Sequence, residues 1–157
     1  MRLFIAILFV LSFTGVSQAD NERDNYMRMY VVDSRYEFVR DDLELAITGR
    51  GIKINNISHI GDMLARTGKD LGAKKQIFSH AEAFEFCSAT VSRATMEADP
   101  HNIIFCPYII AVYSLPTDKD KTYISFRKPS RVGSKASKAA LQKVEDLLTS
   151  IAEEVAK

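Results

Sequence analysis

The sequence predicts an α/β (α+β) domain, a roughly five-stranded mixed sheet with about four helices. Three observations lead there. Apolar runs of strand length alternate with segments whose apolar residues recur at helical spacing, Gly, Pro and Asp-rich breaks fall between them, and residues 20 to 157 suit one domain with a modest core.

The N-terminus comes first. Met1-Arg2 is a short basic start, Leu3 to Phe13 an apolar run, and Ser17-Gln18-Ala19 a small-residue cleavage site, the layout of a secretory signal peptide. Residues 1–19 are therefore expected to be removed between Ala19 and Asp20. The apolar run falls well short of the roughly 20 residues that span a bilayer, and no cysteine follows it to take a lipid. A periplasmic or secreted protein with no stable membrane anchor after cleavage is the expectation.

Residues 20–26 are polar and read as a flexible lead into a domain over 27–157. Met27 to Val32 is apolar enough for a first strand. Ser34 and Glu37 have capping-box spacing, and Tyr36, Val39, Leu43, Ala46 and Ile47 fall on one helical face. Gly49 and Gly51 stop that helix, and Ile52, Ile54 and Ile57 suggest a second strand. A second helix is predicted from Ile60 to Asp70, with Ile60, Met63, Leu64 and Leu71 at helical spacing and Gly68 and Gly72 ending it.

Phe84 and Phe86 alternate with Glu85 and Cys87, so a third strand runs up to Cys87. A short helix over Ser88 to Ala98 follows, broken by Asp99-Pro100. Ile103 to Tyr113 then reads as the most apolar strand, hydrophobic on both faces and so covered on both, by helices or by a second subunit of a homodimer. Pro107 within it signals a bulge or a locally unpaired edge. The loop Leu115 to Lys121 leads to a hairpin partner, Thr122 to Arg127. The last helix, from about Ser134, sets Leu141, Val144, Leu148, Ile151 and Val155 at three- and four-residue steps, facing either a core or a partner helix. Lys135 and Lys138 near its start and Glu153 and Glu154 near its end oppose the helix dipole, so packing must hold it.

Composition excludes some partners. The 21 basic and 20 acidic residues become balanced once Arg2 leaves with the signal, which argues against nucleic acid and anionic membranes. No GxSxG, P-loop, HExxH or dinucleotide fingerprint occurs, so no catalytic residue and no cofactor is assigned. Asp41-Asp42 and Glu153-Glu154 read as solvated charge pairs.

The two cysteines, Cys87 and Cys106, carry most of the functional weight. In an oxidising compartment two cysteines can pair without remainder, although the Cα separation a disulfide demands is narrow. Alternatively, Cys87 at the start of a helix is a candidate reactive thiol, its thiolate favoured by the partial positive charge there. A third reading is copper or zinc held by thiolate with His59, His80 or His101, or by the Met27 and Met29 pair; no close-spaced ligand pair supports it. Two small buried hydrophobes without chemistry complete the set. Glu85, Ser88, His101, Pro107 and Tyr108 are the candidate pocket around the cysteines, and Tyr113 and Tyr123 are ordinary strand aromatics or further lining.

In chain order, DMLARTGKDLG, FEFCSA, MEADPHNIIFCPYIIAVY and KTYISFRKP resemble the bacterial family catalogued as domain of unknown function 302, over most of Met27 to Pro129. The resemblance implies a compact two-layer sandwich, with a homodimer as one form, and brings no established activity. The cysteine pair departs from the broader pattern and looks like the mark of an exported subgroup. The expectation is a non-catalytic binding or interaction protein, for an unknown small molecule or protein, with a site or disulfide at Cys87 and Cys106. The alternative is a thiol-based redox, sulfur-handling or metal-binding protein.

Overall fold

The structure is a computed structural model, and it describes residues 23–157. The expected signal peptide lies outside the described residues. Residues 23–26, expected as part of a flexible lead, form a helical turn. It is tied down because Lys128 N–H donates to Tyr26 O at 2.8 Å and Lys128 Nζ to Asp24 O at 2.9 Å.

The elements run β1 (Met27–Val32), α1 (Tyr36–Thr48), β2 (Ile54–Ser58), α2 (Ile60–Asp70), β3 (His80–Phe86), α3 (Ala89–Ala98), a 3-10 helix (Pro100–Phe105), β4 (Tyr108–Leu115), β5 (Asp118–Arg127) and α4 (Lys135–Val155). They build one five-stranded open sheet in the order β1-β5-β4-β3-β2 with helices packed on it, consistent with a two-layer sandwich. Every pairing is antiparallel, where a mixed sheet was expected. The reason lies between β3 and β4. A strand, helix, strand unit suggests a parallel crossover, but here the 3-10 helix after α3 turns the chain back and β4 enters beside β3 in the opposite sense.

One face of the sheet holds the core. Phe84 and Phe86 of β3, Ile110 and Val112 of β4, and Ile124 and Phe126 of β5 pack against Val39, Leu43 and Ile47 of α1 and Val144, Leu148 and Ile151 of α4. Full burial of such a side chain stabilises by roughly 1.5–3 kcal/mol. The stripe on α4 therefore faces the core, which covers it from Leu141 to Ala152. The other sheet face keeps Met29, Val31 and Ile109 exposed, so β4 is buried on alternate residues rather than covered on both sides.

Several local expectations shift. The N-cap of α1 is Arg35 and makes no side-chain cap bond, so the Ser34–Glu37 capping box does not form. Ser34 instead gives its carbonyl to Thr122 Oγ1 at 2.8 Å. Gly68 lies inside α2 rather than at its end. Residues 103–105 belong to the 3-10 helix rather than to a strand, and Ile104 is 80% exposed. Asp99 starts that helix by accepting from His101 N–H at 3.0 Å. Asn102 holds it from within, donating from Nδ2 to Thr95 O at 3.0 Å and to Ser137 Oγ at 2.9 Å. Pro107 precedes β4, joined to Cys106 by a cis peptide bond, and makes no bulge inside it. The stretch 115–121, expected as a loop, is mostly strand with a two-residue turn at Pro116 and Thr117.

Candidate functional site

Cys87 follows the last residue of β3 and Cys106 follows the 3-10 helix that leads into β4. Phe86 and Tyr108 are register partners, so antiparallel pairing brings the residues flanking them together at one end of the sheet. Both cysteines are half-buried free thiols, and Cys106 packs on the core. Cys87 and Cys106 are near enough that Cys106 bears on the ionisation of the Cys87 thiol.

A short polar chain surrounds them. The Cys106 thiol donates to Ser92 Oγ at 3.5 Å, and Ser92 Oγ donates to the Tyr108 hydroxyl at 3.0 Å. Tyr108 is buried, with its ring edge-on to Phe86 at 6.2 Å. Ser92 faces the thiols because α3 starts beside them. Ser88 caps that helix, its Oγ accepting from Val91 N–H at 3.4 Å, and Ser92 N–H bonds Ser88 O at 2.8 Å one turn on.

Electrostatics here favour the neutral forms. Burial pushes the Cys87 thiol up, and the neighbouring Cys106 pushes it further, against weaker help from the Tyr108 backbone and the Ser92 hydroxyl. Burial likewise raises the Tyr108 hydroxyl to about 12. A helix start alone would favour a thiolate, but desolvation outweighs it.

The candidate pocket is gathered only in part. Tyr108 is linked to Cys106 through Ser92, whereas Ser88 is buried and occupied as the α3 cap. Pro107 and His101 are exposed, the latter on the 3-10 helix. Glu85 alternates to the open sheet face, where it accepts from Ser58 Oγ at 2.7 Å and Asn56 Nδ2 at 3.2 Å. His59 and His80 lie elsewhere. His59 Nδ1 is 2.8 Å from Glu82 Oε1, and His80 stacks on Tyr36 at 4.7 Å. Met29 Sδ accepts from the Tyr113 hydroxyl at 3.5 Å, and Tyr113 stacks on Tyr123. Among the described residues, no three His, Cys, Asp or Glu side chains come together as a metal-ligand set.

Two features escaped the sequence. Ser92 bridges Cys106 and Tyr108, and its one signal is its place a turn after the capping Ser88. The second is a polar cluster under α1, in which Arg40 Nε bonds Glu82 Oε2 at 3.1 Å and also pairs with Asp41 and Glu44. Nothing in the spacing of Arg40 and Glu82 announces that contact.

A family model for a domain of unknown function, DUF302, matches residues 30–156. Among solved structures, the chain is similar to the uncharacterized conserved protein DUF302 from Bacillus stearothermophilus. The TM-score is 0.68 at 16% identity, over 82% of this chain and 97% of that one, a likeness of fold. No curated protein matches.

Proposed function

We propose, from the premise that this chain belongs to the family of domain of unknown function DUF302, that it is an exported, non-catalytic binding or interaction domain in which Cys87 and Cys106 act together as a disulfide-forming clasp. The observation that carries this reading is the placement of the two cysteines at the adjoining ends of β3 and β4, beside the register pair Phe86 and Tyr108. Closing the bond removes two protons and two electrons, accepted by a disulfide-bearing oxidant that leaves as a dithiol. The clasp joins a loop of nearly twenty residues containing α3 and the 3-10 helix. By the chain-entropy argument such closure stabilises by roughly 3 kcal/mol.

The raised Cys87 thiol supports a clasp over a catalytic thiol, since the thiolate is the nucleophile and burial disfavours it here. The sulfur- or metal-handling alternative would need Cys87 ionised, or further ligands at the thiols.

Protein recovered from the periplasm tests the clasp and the export. Thiols are titrated under denaturing conditions with and without reductant, and the intact mass is recorded. The expected result is no free thiol before reduction, two after it, and a mass that begins at Asp20 and lies two hydrogens below the dithiol. Two free thiols in untreated protein, or added metal or sulfur mass, would overturn the clasp. A mass retaining residues 1–19 would overturn export.

A further inference from the structure

Helix α2 carries an apolar stripe but buries no residue. Its first turn approaches the sheet closely, because a Cβ at Gly61 would sit 2.8 Å from Ala81 N, a distance only glycine permits. Further along the helix, Leu64, Thr67 and Gly68 are half-buried and the other side chains are exposed. Residues 71–78 return alongside it, held by Ala73 N–H to Gly68 O at 2.8 Å and by Phe78, whose ring meets Tyr113 edge-on at 5.5 Å.

Between them lies a groove of about 330 Å³. Leu64, Leu71, Ile77 and Phe78 give it an apolar lining, and Lys69, Lys74 and Lys75 also border it. No Asp or Glu lines it, and none of these three lysines is in an ion pair among the described residues. The acidic residues of α2, Asp62 and Asp70, are outside the lining.

We propose that this groove binds a single-chain fatty-acid carboxylate, with its alkyl chain along the apolar lining and its carboxylate among the three lysines. An apolar trough rimmed by unpaired cations is complementary to an anion with a hydrocarbon tail, and a small polar anion would leave the apolar lining unused. The volume suits a chain of medium length. At about 30 Å³ per water-sized group it holds roughly ten such groups, too few for a helix. The inference rests on the reading of the chain as a binding domain, and it is independent of the state of the thiols.

The purified protein is titrated calorimetrically with decanoate, below its micellar concentration, and with decanol. Both titrations are repeated on a Lys69→Gln, Lys74→Gln, Lys75→Gln variant and on Leu64→Asn, with circular dichroism confirming the fold. All three lysines are exposed, so their replacement spares the core. The expected result is one saturable site for decanoate, weakened about tenfold by the lysine variant, weakened by Leu64→Asn, and weaker still for decanol than for decanoate. Absence of saturable binding, equal binding of the alcohol, or indifference to the lysine variant would overturn it. So would binding confined to anionic phospholipid vesicles, or self-association that competes with decanoate. If decanoate fails while the thiols titrate as a disulfide, the groove falls and the clasp stands.

Discussion

Helices α4 and α2 both carry an apolar stripe on a polar background, yet one is buried and the other is not. The stripe of α4 runs across the sheet face and disappears into the core, together with Ser137 and Glu145. That of α2 buries no residue and leaves Met63 in solvent, with Leu71 just beyond its end 82% exposed. Amphipathic patterning thus states that a helix has two faces, and the sheet area within reach decides whether the apolar one is covered. The charges make the same point. Basic residues at the start of α4 and acidic ones at its end oppose its dipole, and burial overrides them, with Glu154 recovering a partner in Arg50 at 2.7 Å.

The largest expected effect that would sharpen this contrast is at Ile151, fully buried on α4. Ile151→Ala should destabilise by about 2–5 kcal/mol in urea unfolding. A loss below 1 kcal/mol would mean that α4 is not the core helix. Next comes Glu145, whose carboxylate accepts from Arg28 at 3.2 Å and Arg131 at 3.1 Å. Burial pushes this carboxyl up, but the Arg131 and Arg28 bonds outweigh burial and hold it below its ordinary range. The folded carboxyl is more acidic than the unfolded one. Its stabilisation is therefore present above about pH 4.3 and is lost as pH falls through the depressed folded value. Glu145→Gln should cost about 1–2 kcal/mol at neutral pH, since both arginines are half exposed, and should flatten the acid limb of a stability profile. An unchanged acid limb would remove Glu145 from the account. The smallest effect is expected at Leu71, where Leu71→Ser should shift stability by no more than about 0.5 kcal/mol. A loss above 1 kcal/mol would place α2 and its following segment within the core and break the comparison.

Much of the fold was legible because its elements are separated by chemistry that a sequence displays. The bounds of α2 agree with its reading to the residue, and α3 and α4 start after serines that do cap them. The stretch 103–113 was misread for a definite reason. Ile103, Ile104 and Phe105 run without a break into an apolar strand, and hydrophobicity alone does not reveal that the first two are exposed. The one dissenting residue was Asn102, a polar side chain whose bonds to α3 and α4 depend on tertiary structure. At the site, the expectation that Cys87 and Cys106 sit at nearby heights depended on β3 and β4 adjoining, as they do. Ser92 was invisible because a single serine on a helix has no pattern, and Glu85 lies on the open face because the pleat of β3 turns it there. The antiparallel sheet was hidden by the helix between β3 and β4, a length of chain that serves either sense.

The sheet order also bears on the sequence of events in folding. β3 and β4 are near neighbours along the chain, and β4 and β5 are joined by a tight turn, so the centre of the sheet can zip from local contacts. β1 is different. Its partner is β5, with Met27 opposite Arg127, so the first strand of the domain to be made has no sheet partner until β5 exists. Closing so long a loop adds little to its equilibrium cost but slows the search. The nascent domain therefore stays incomplete at its own beginning until β5 arrives.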